Sequence, residues 1–327
     1  MAEQVKTQVY QRDGDPFIYL FVNQQWYCYN PQDPPVGGGA MGTVYLGFSC
    51  STNERIAVKR VIDEYSNNKV IRDRARQEAS MSFSHPNLVK MIGICEYEPD
   101  RGPIFILSHY VNGITLEKHV KEQLKDFSQE ERVERISMYM CNVLDALYYL
   151  HARGVVHRDI KPSNIMLENG NTIRVMDLGI ARMNGGNKYS RFGFIGTPQY
   201  AAPEQILRDK DNMELTAKTD IYSLGVTFYE LLTGTNPFAS KIEAEVLSMQ
   251  VTKPLPYNQA IPRRLFKVIR KATEKDPSKR YVTALEFKMA ILGVLSDNKA
   301  DAPSLTTIFW IVGVLAMTAI IILIFII

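Results

Sequence analysis

The stretch that decides the fold is His157-Arg158-Asp159-Ile160-Lys161-Pro162-Ser163-Asn164, with Asp177-Leu178-Gly179 after it. Just upstream, residues 131–152 carry Val133, Ile136, Met140, Val143, Leu144, Leu147 and Leu150 at helical spacing, one broad apolar stripe. Helical patterns dominate from Leu116 to Leu295. Before them, residues 43–48, 55–61 and 104–107 are short apolar runs that read as strands, arranged around one helical pattern at 71–83. Strands followed by helices predict an α+β chain, a small sheet lobe beside a larger helical lobe.

Further toward the N-terminus lies Gly37-Gly38-Gly39-Ala40-Met41-Gly42-Thr43-Val44, which fits G-x-G-x-x-G-x-V through Gly37, Gly39, Gly42 and Val44. Glycine lets backbone amides approach phosphates where a Cβ would obstruct them. Alone, such a cluster is more often a turn than a nucleotide site. Lys59 follows in Ile56-Ala57-Val58-Lys59, a charge inside an otherwise apolar strand that needs a partner. Glu78, on the helical stretch that comes next, is the natural one. The alternative for Lys59 by itself is a solvated strand end.

Taken together, these strings resemble the protein kinase family. His157 to Asn164 resembles its catalytic loop and Asp177-Leu178-Gly179 its metal-binding motif. Ala202-Pro203-Glu204 resembles the Ala-Pro-Glu motif, and Asp220, in Lys218-Thr219-Asp220-Ile221-Tyr222-Ser223-Leu224-Gly225, lies in what resembles the central helix. The likeness covers about Val36 to Leu295. It implies a two-lobed kinase fold, with an N-lobe at 36–110 and a C-lobe at 111–296.

The resemblance also implies roles. Phosphoryl transfer has a loose transition state, so catalysis is mostly positioning and charge neutralisation. Asp159 is expected to take the proton of the substrate hydroxyl, and Lys161 to steady the γ-phosphate. Asn164 and Asp177 are expected to hold Mg²⁺, or Mn²⁺ in its place. Lys59, paired with Glu78, would contact the α- and β-phosphates of ATP. Gly37, Gly39, Gly42, Val44, Ala57, Ser108 and Tyr110 would complete the nucleotide site, with Ser108 at the gatekeeper and His109 in the hinge. Lys161 and Gly196-Thr197-Pro198-Gln199-Tyr200 resemble the serine/threonine branch, and Gly196 to Gln205 looks most like its bacterial members.

Several departures and accessory features follow. Leu178 stands where the family has Phe, apolar for apolar, and Pro34 and Pro35 fall where the first strand should run, so that strand is expected short or displaced. Ser190 and Thr197 lie near Arg182, Lys188 and Arg191 in a segment expected to be autophosphorylated at Ser190, with dimerisation as the route to trans-transfer. Thr197 is expected instead to be a structural hydroxyl near Asp159. Glu204 and Arg280 should form a buried bridge. The competing functional reading is a kinase-fold scaffold or tail-anchored adaptor without catalysis.

Composition narrows the classes. Lys plus Arg number 38 against 35 for Asp plus Glu, too even to argue for nucleic acid, and the partners implied are protein substrates. Cys28, Cys50, Cys95 and Cys141 lie far apart with no zinc spacing, which predicts buried, reduced thiols. Residues 1–35 form an extension in which 17–22 and 25–29, separated by Asn23 and Gln24, read as a hairpin. The N-terminus has no secretory leader, so the front of the protein is expected in the cytoplasm.

At the other end no charge follows Asp301. Residues 308–327 span roughly 30 Å as a helix, the thickness of a bilayer core. That predicts a linker at 297–304 and a single lipid-spanning anchor at 305–327. With nothing after Ile327, no outside sensor is expected, and the kinase domain would stay on the cytoplasmic side of a bacterial inner membrane.

Overall fold

A computed structural model describes residues 8–39, 42–61, 69, 72–73, 75–76, 83–98, 101–177, 197–211 and 214–300. Strands β1 (Gln8–Gln11), β2 (Ile18–Val22), β3 (Gln25–Tyr29), β4 (Gly37–Gly39), β5 (Gly42–Ser49), β6 (Arg55–Val61), β7 (Met91–Glu98) and β8 (Arg101–His109) form one antiparallel sheet. Its order is β1-β2-β3-β5-β6-β8-β7, and β4 pairs β5 off that path.

The prolines explain why two strands share one edge of β5. Tyr29 pairs Gly47 from β3, and Gly37 pairs Val44 from β4. Between them the chain leaves the ladder through a turn in which Asn30 Oδ1 accepts from the Gln32 N–H at 2.9 Å, and Pro34 and Pro35 lie in this excursion. A proline there has no N–H to lose from the ladder.

Alternation gives the sheet two apolar faces. Ile104 and Ile106 of β8 pack with Val61 and Ala75 on one side. Phe105 and Leu107 face the other side, where Ile56, Val58 and Cys95 meet Leu20, Val22, Tyr27 and Tyr29 of the β2–β3 hairpin. Asn23 and Gln24 turn that hairpin with φ of 50° and 63°, the left-handed pair a two-residue turn requires. The hairpin is held over the sheet by Asn23 Nδ2 donating to Ile92 O at 2.6 Å, so the extension supplies core to the small lobe.

Helical residues 72 and 76 are fastened to the β7–β8 hairpin. Arg72, only 1% exposed, donates to Glu96 Oε1 at 2.6 Å and to Gly102 O at 2.7 Å. Arg76 Nε donates to Glu96 Oε2 at 3.0 Å. The helical pattern at 71–83 overreaches at its end: Phe83 is outside the helix and packs edge-on against Tyr149.

The large lobe holds α1 (Leu116–Glu122), α2 (Gln129–His151), α3 (Pro203–Asp211), α4 (Ala217–Thr233), α5 (Glu243–Thr252), α6 (Arg263–Ala272) and α7 (Ala284–Ala300). A small sheet of β9 (Gly113–Thr115), β10 (Ile165–Glu168) and β11 (Thr172–Val175) completes it, in the order β11-β10-β9. Helix α2 starts at a capping box between Ser128 and Glu131, and its apolar stripe lies in the main core. Helix α4 is buried over nearly its whole length, from Thr219 to Tyr229, so it is the post on which the lobe is built.

Cys95 and Cys141 are buried free thiols, but Cys28 is half-buried and Cys50 exposed. Those two stand on the outward side of the β3–β5 pair, where Cys28 opposes Phe48 and the Cys50 N–H reaches Trp26 O. The strand pairing thus brings close two thiols that are distant in sequence, and burial with the Cys50 thiol beside it pushes Cys28 up to about 12. Among the described residues no helix is long and apolar enough to cross a membrane, and residues 305–327 lie outside them.

Candidate active site

The cleft between the lobes is lined from above by β5 and β6. Strand β6 turns Ile56 and Val58 into the core, so Ala57 and Lys59 take the opposite face. Val44 pairs Lys59 and Leu46 pairs Ala57, while Ala57 and Lys59 pair Ser108 and Ile106 on the other side. The glycine stretch, Lys59 and Ser108 are therefore neighbours across three adjacent strands. Gly42 has a steric reason to be glycine: a Cβ there would sit 2.4 Å from Arg60 O. Gly37 has none of that kind, since its Cβ would meet Val44 at an ordinary 3.8 Å. Tyr110 follows β8 and carries the Arg55 guanidinium 5.5 Å above its ring, while His109 Nδ1 lies 3.4 Å from Glu54.

The lower wall is the loop between α2 and β10, held from beneath by Asp220. Its Oδ1 accepts from the Arg158 N–H at 2.7 Å, and its Oδ2 from the His157 N–H at 2.8 Å and from His151 Nε2 at 2.8 Å. Burial alone would raise the Asp220 pKa, but the hydrogen bond and charge of His151, then His157 and the Arg158 N–H, reverse this and lower it. These bonds fix Arg158 at φ 69°, a left-handed backbone that a non-glycine residue keeps only when its surroundings impose it. Burial lowers the His157 pKa, and the neutral ring links two motifs. Nδ1 accepts from the Asp159 N–H at 3.3 Å, which leaves the proton on Nε2 to donate to Met176 O at 2.9 Å.

Asp159 is then held by its neighbours. Asn164 Nδ2 donates to Asp159 Oδ2 at 2.9 Å and to Asp159 O at 2.9 Å. Lys161 Nζ lies 3.3 Å from Asp159 Oδ2 and donates to Thr197 Oγ1 at 3.0 Å. Across the cleft, Lys59 Nζ is 3.2 Å from Asp177 Oδ1. Asp177 itself has φ 43°, and the Met176 N–H before it donates to Asn164 O at 2.8 Å.

The structure thus brings Asp159, Lys161 and Asn164 together, and separately Lys59 and Asp177. Glu78, Leu178, Gly179, Ser190 and the basic residues near it lie outside the described residues, so the expected Lys59–Glu78 pairing does too. Thr197 Oγ1 accepts from Lys161, which itself lies beside Asp159. Glu204 and Arg280 form their bridge through two bonds of 2.6 and 2.9 Å.

A divalent cation fits the donor set. Asn164 commits its amide nitrogen to Asp159, which leaves its Oδ1 for a cation, and Asp177 offers a half-exposed carboxylate. Among the described residues no larger cluster of metal-binding side chains occurs. Mg²⁺ is usually held by one or two protein oxygens together with substrate phosphates, so two donors suffice.

Sequence reading missed His151, whose ring supports Asp220 from the end of α2, and the Arg72–Glu96 anchor. Arg72 and Arg76 are spaced to share a helix face, but nothing local points to Glu96 as their partner.

The protein kinase domain model matches residues 32–289. The chain belongs to the protein kinase family. Its kinase domain is 32% identical over 282 residues to the serine/threonine-protein kinase PknB of Mycobacterium tuberculosis. It is also 34% identical over 278 residues to a probable serine/threonine-protein kinase of Clostridium perfringens. Each alignment covers 83% of this chain but only 44% and 38% of the relative, so the chain spans less than half the length of these kinases. Among solved structures it resembles the PknI kinase domain of Mycobacterium tuberculosis, with a TM-score of 0.58 and 25% identity over 79% of this chain and 93% of that one. These likenesses account for the two-lobed kinase architecture.

Proposed function

We propose that this kinase transfers the γ-phosphate of ATP to serine and threonine hydroxyls of protein substrates. The observation that carries the reading is the Asp159 carboxylate, held by Asn164 and Lys161, in a cleft that also contains the Lys59–Asp177 pair. A carboxylate so fixed can orient a hydroxyl and receive its proton as the oxygen attacks phosphorus. Lys161, at hydrogen-bonding distance from Thr197, ties Asp159 to the segment against which a substrate would lie, and its ammonium offsets charge on the transferring group. Lys59 would exchange its carboxylate partner for nucleotide phosphates. Asn164 and Asp177 would hold Mg²⁺, or Mn²⁺, which neutralises phosphate charge when bound.

The purified chain should label a generic basic protein from γ-labelled ATP when Mg²⁺ is present, and chelation with EDTA should abolish it. Folded protein that binds ATP yet labels nothing would leave the non-catalytic scaffold as the reading.

The same proposal places the domain at a membrane through residues 305–327, on the cytoplasmic face of a bacterial inner membrane. Support comes from the sequence: a run from Ile308 whose polar side chains are confined to Thr318 and the Trp310 indole, with no charge after Asp301. Deleting 308–327 should move the protein from the membrane fraction to the soluble one. A full chain that is already soluble at physiological and high salt would refute the anchor. Ser190 and the basic residues around it support trans-autophosphorylation between two copies.

A further inference from the structure

The short helical turn at Pro198–Tyr200 follows Thr197, and on the kinase reading it would form the floor under a peptide substrate. Side chains from several elements hold its backbone carbonyls. Ser223 Oγ, on α4, donates to Tyr200 O at 2.8 Å. Gln250 Nε2, on α5, donates to Pro198 O at 3.2 Å and to Gln199 O at 2.5 Å. Gln250 is fully buried, so its amide is committed to this task.

Gln250 is held in turn. Its Oε1 accepts from the Tyr222 hydroxyl at 2.6 Å, which fixes the amide with its nitrogen toward the two carbonyls. Tyr222 is fully buried on α4, and burial pushes its pKa up, so it remains a protonated donor. Lys275 Nζ donates to the same phenol oxygen at 2.6 Å, and it lies 4.3 Å from the centre of the Phe238 ring. The Arg280 guanidinium is stacked 4.8 Å from the centre of the Tyr222 ring. Donors and acceptors match at each link: ammonium to phenol, phenol to amide oxygen, amide nitrogen to the two carbonyls. Tyr222 and Gln250 are fully buried and Lys275 partly so, and burial, then Arg280, pushes the Lys275 pKa down to about 7. Hydrogen bonds in such surroundings are costly to leave unmade.

We propose that Lys275, Tyr222 and Gln250 form a positioning relay that sets the Pro198–Gln199 backbone for protein substrates, and so govern peptide affinity without touching nucleotide. This rests on the kinase reading above. It differs from the Asp159 cluster in what it controls: the relay reaches the platform from the far side, through α4 and α5.

The test uses the full chain with Tyr222→Phe, Gln250→Met and the double variant. Both single changes keep side-chain volume and remove the polar link. The KM for a serine peptide should rise about 2- to 10-fold in each, the range expected for one lost hydrogen bond, with the KM for ATP unchanged. The double variant should be no worse than Gln250→Met, since links in one chain are not additive. Hydrogen exchange at the amides of Tyr200 and Ala201, which close this turn onto Thr197 O and Pro198 O, should quicken in both single variants. An unchanged peptide KM in folded Gln250→Met, additive losses, or unchanged exchange at Tyr200 and Ala201 would overturn the relay. The exchange measurement needs no phosphate transfer. If it responds as expected while the wild type phosphorylates nothing, the link from Gln250 to the Pro198–Gln199 backbone stands, and the kinase reading fails with the substrate role built on it.

Discussion

Asp159→Asn should reduce phosphate transfer about 10²- to 10⁴-fold, the usual contribution of a positioned proton acceptor. The change is nearly isosteric, and the geometry says what survives it. Asn164 Nδ2 still has Asp159 O as an acceptor at 2.9 Å, and the Asp159 N–H still reaches His157 Nδ1. The loop therefore keeps its shape, and melting temperature and ATP affinity should change little. What disappears is the carboxylate that takes the hydroxyl proton and the negative partner of Lys161. A loss confined to kcat is the expected result, since the removed interaction acts mainly in the transition state. A variant that transferred phosphate at the wild-type rate would remove Asp159 from the chemistry.

Arg280→Ala should be the most destabilising single change in the large lobe. Arg280 is 2% exposed and Glu204 1%, and the pair is bidentate at 2.6 and 2.9 Å. The guanidinium also donates to Glu274 O, Lys218 O and Lys275 O at 2.6, 2.9 and 3.1 Å. Among the described residues, truncation leaves the buried carboxylate hydrogen-bonded to the Thr219 hydroxyl at 3.0 Å alone, and three carbonyls lose a donor. Breaking such a pair from one side costs ~3–5 kcal/mol. In a domain of this size that lowers Tm by roughly 10 °C. Thermal unfolding of the two proteins measures it directly, and equal melting temperatures would contradict the account. Because Glu204 lies in the first turn of α3, just after the Pro198–Tyr200 turn proposed to lie under a peptide substrate, partial loss of activity should accompany the loss of stability.

The sequence made some parts of this structure legible and left others hidden, for physical reasons. Strand β6 was readable as a short apolar run through Ile56, Ala57 and Val58, and α2 because its apolar stripe keeps a period of 3.6 over several turns. The motif residues at 157–164 were readable because their chemistry depends on fixed local spacing. The route of 30–36 was partly readable, since proline cannot join a ladder, but that β3 would take the rest of the β5 edge depends on pairing across the chain. Contacts between distant segments left no local mark. Cys28 meets Cys50 only through strand register, Arg72 finds Glu96 across a hairpin, and Gln250 reaches Pro198 and Gln199 only after α5 has docked on the lobe. A buried glutamine on a short helix looks in sequence like any surface residue.

The family's likeness to PknB and PknI fixes the fold, and the chemistry rests on the side chains found in the cleft. The most direct test of that chemistry is the identity of the phosphorylated residue. Incubated with ATP, Mg²⁺ and peptides that offer serine, threonine or tyrosine in one context, the full chain should place phosphate on serine and threonine, as mass spectrometry would record. Phosphate found only on tyrosine, or on no residue while ATP is bound, would contradict the account.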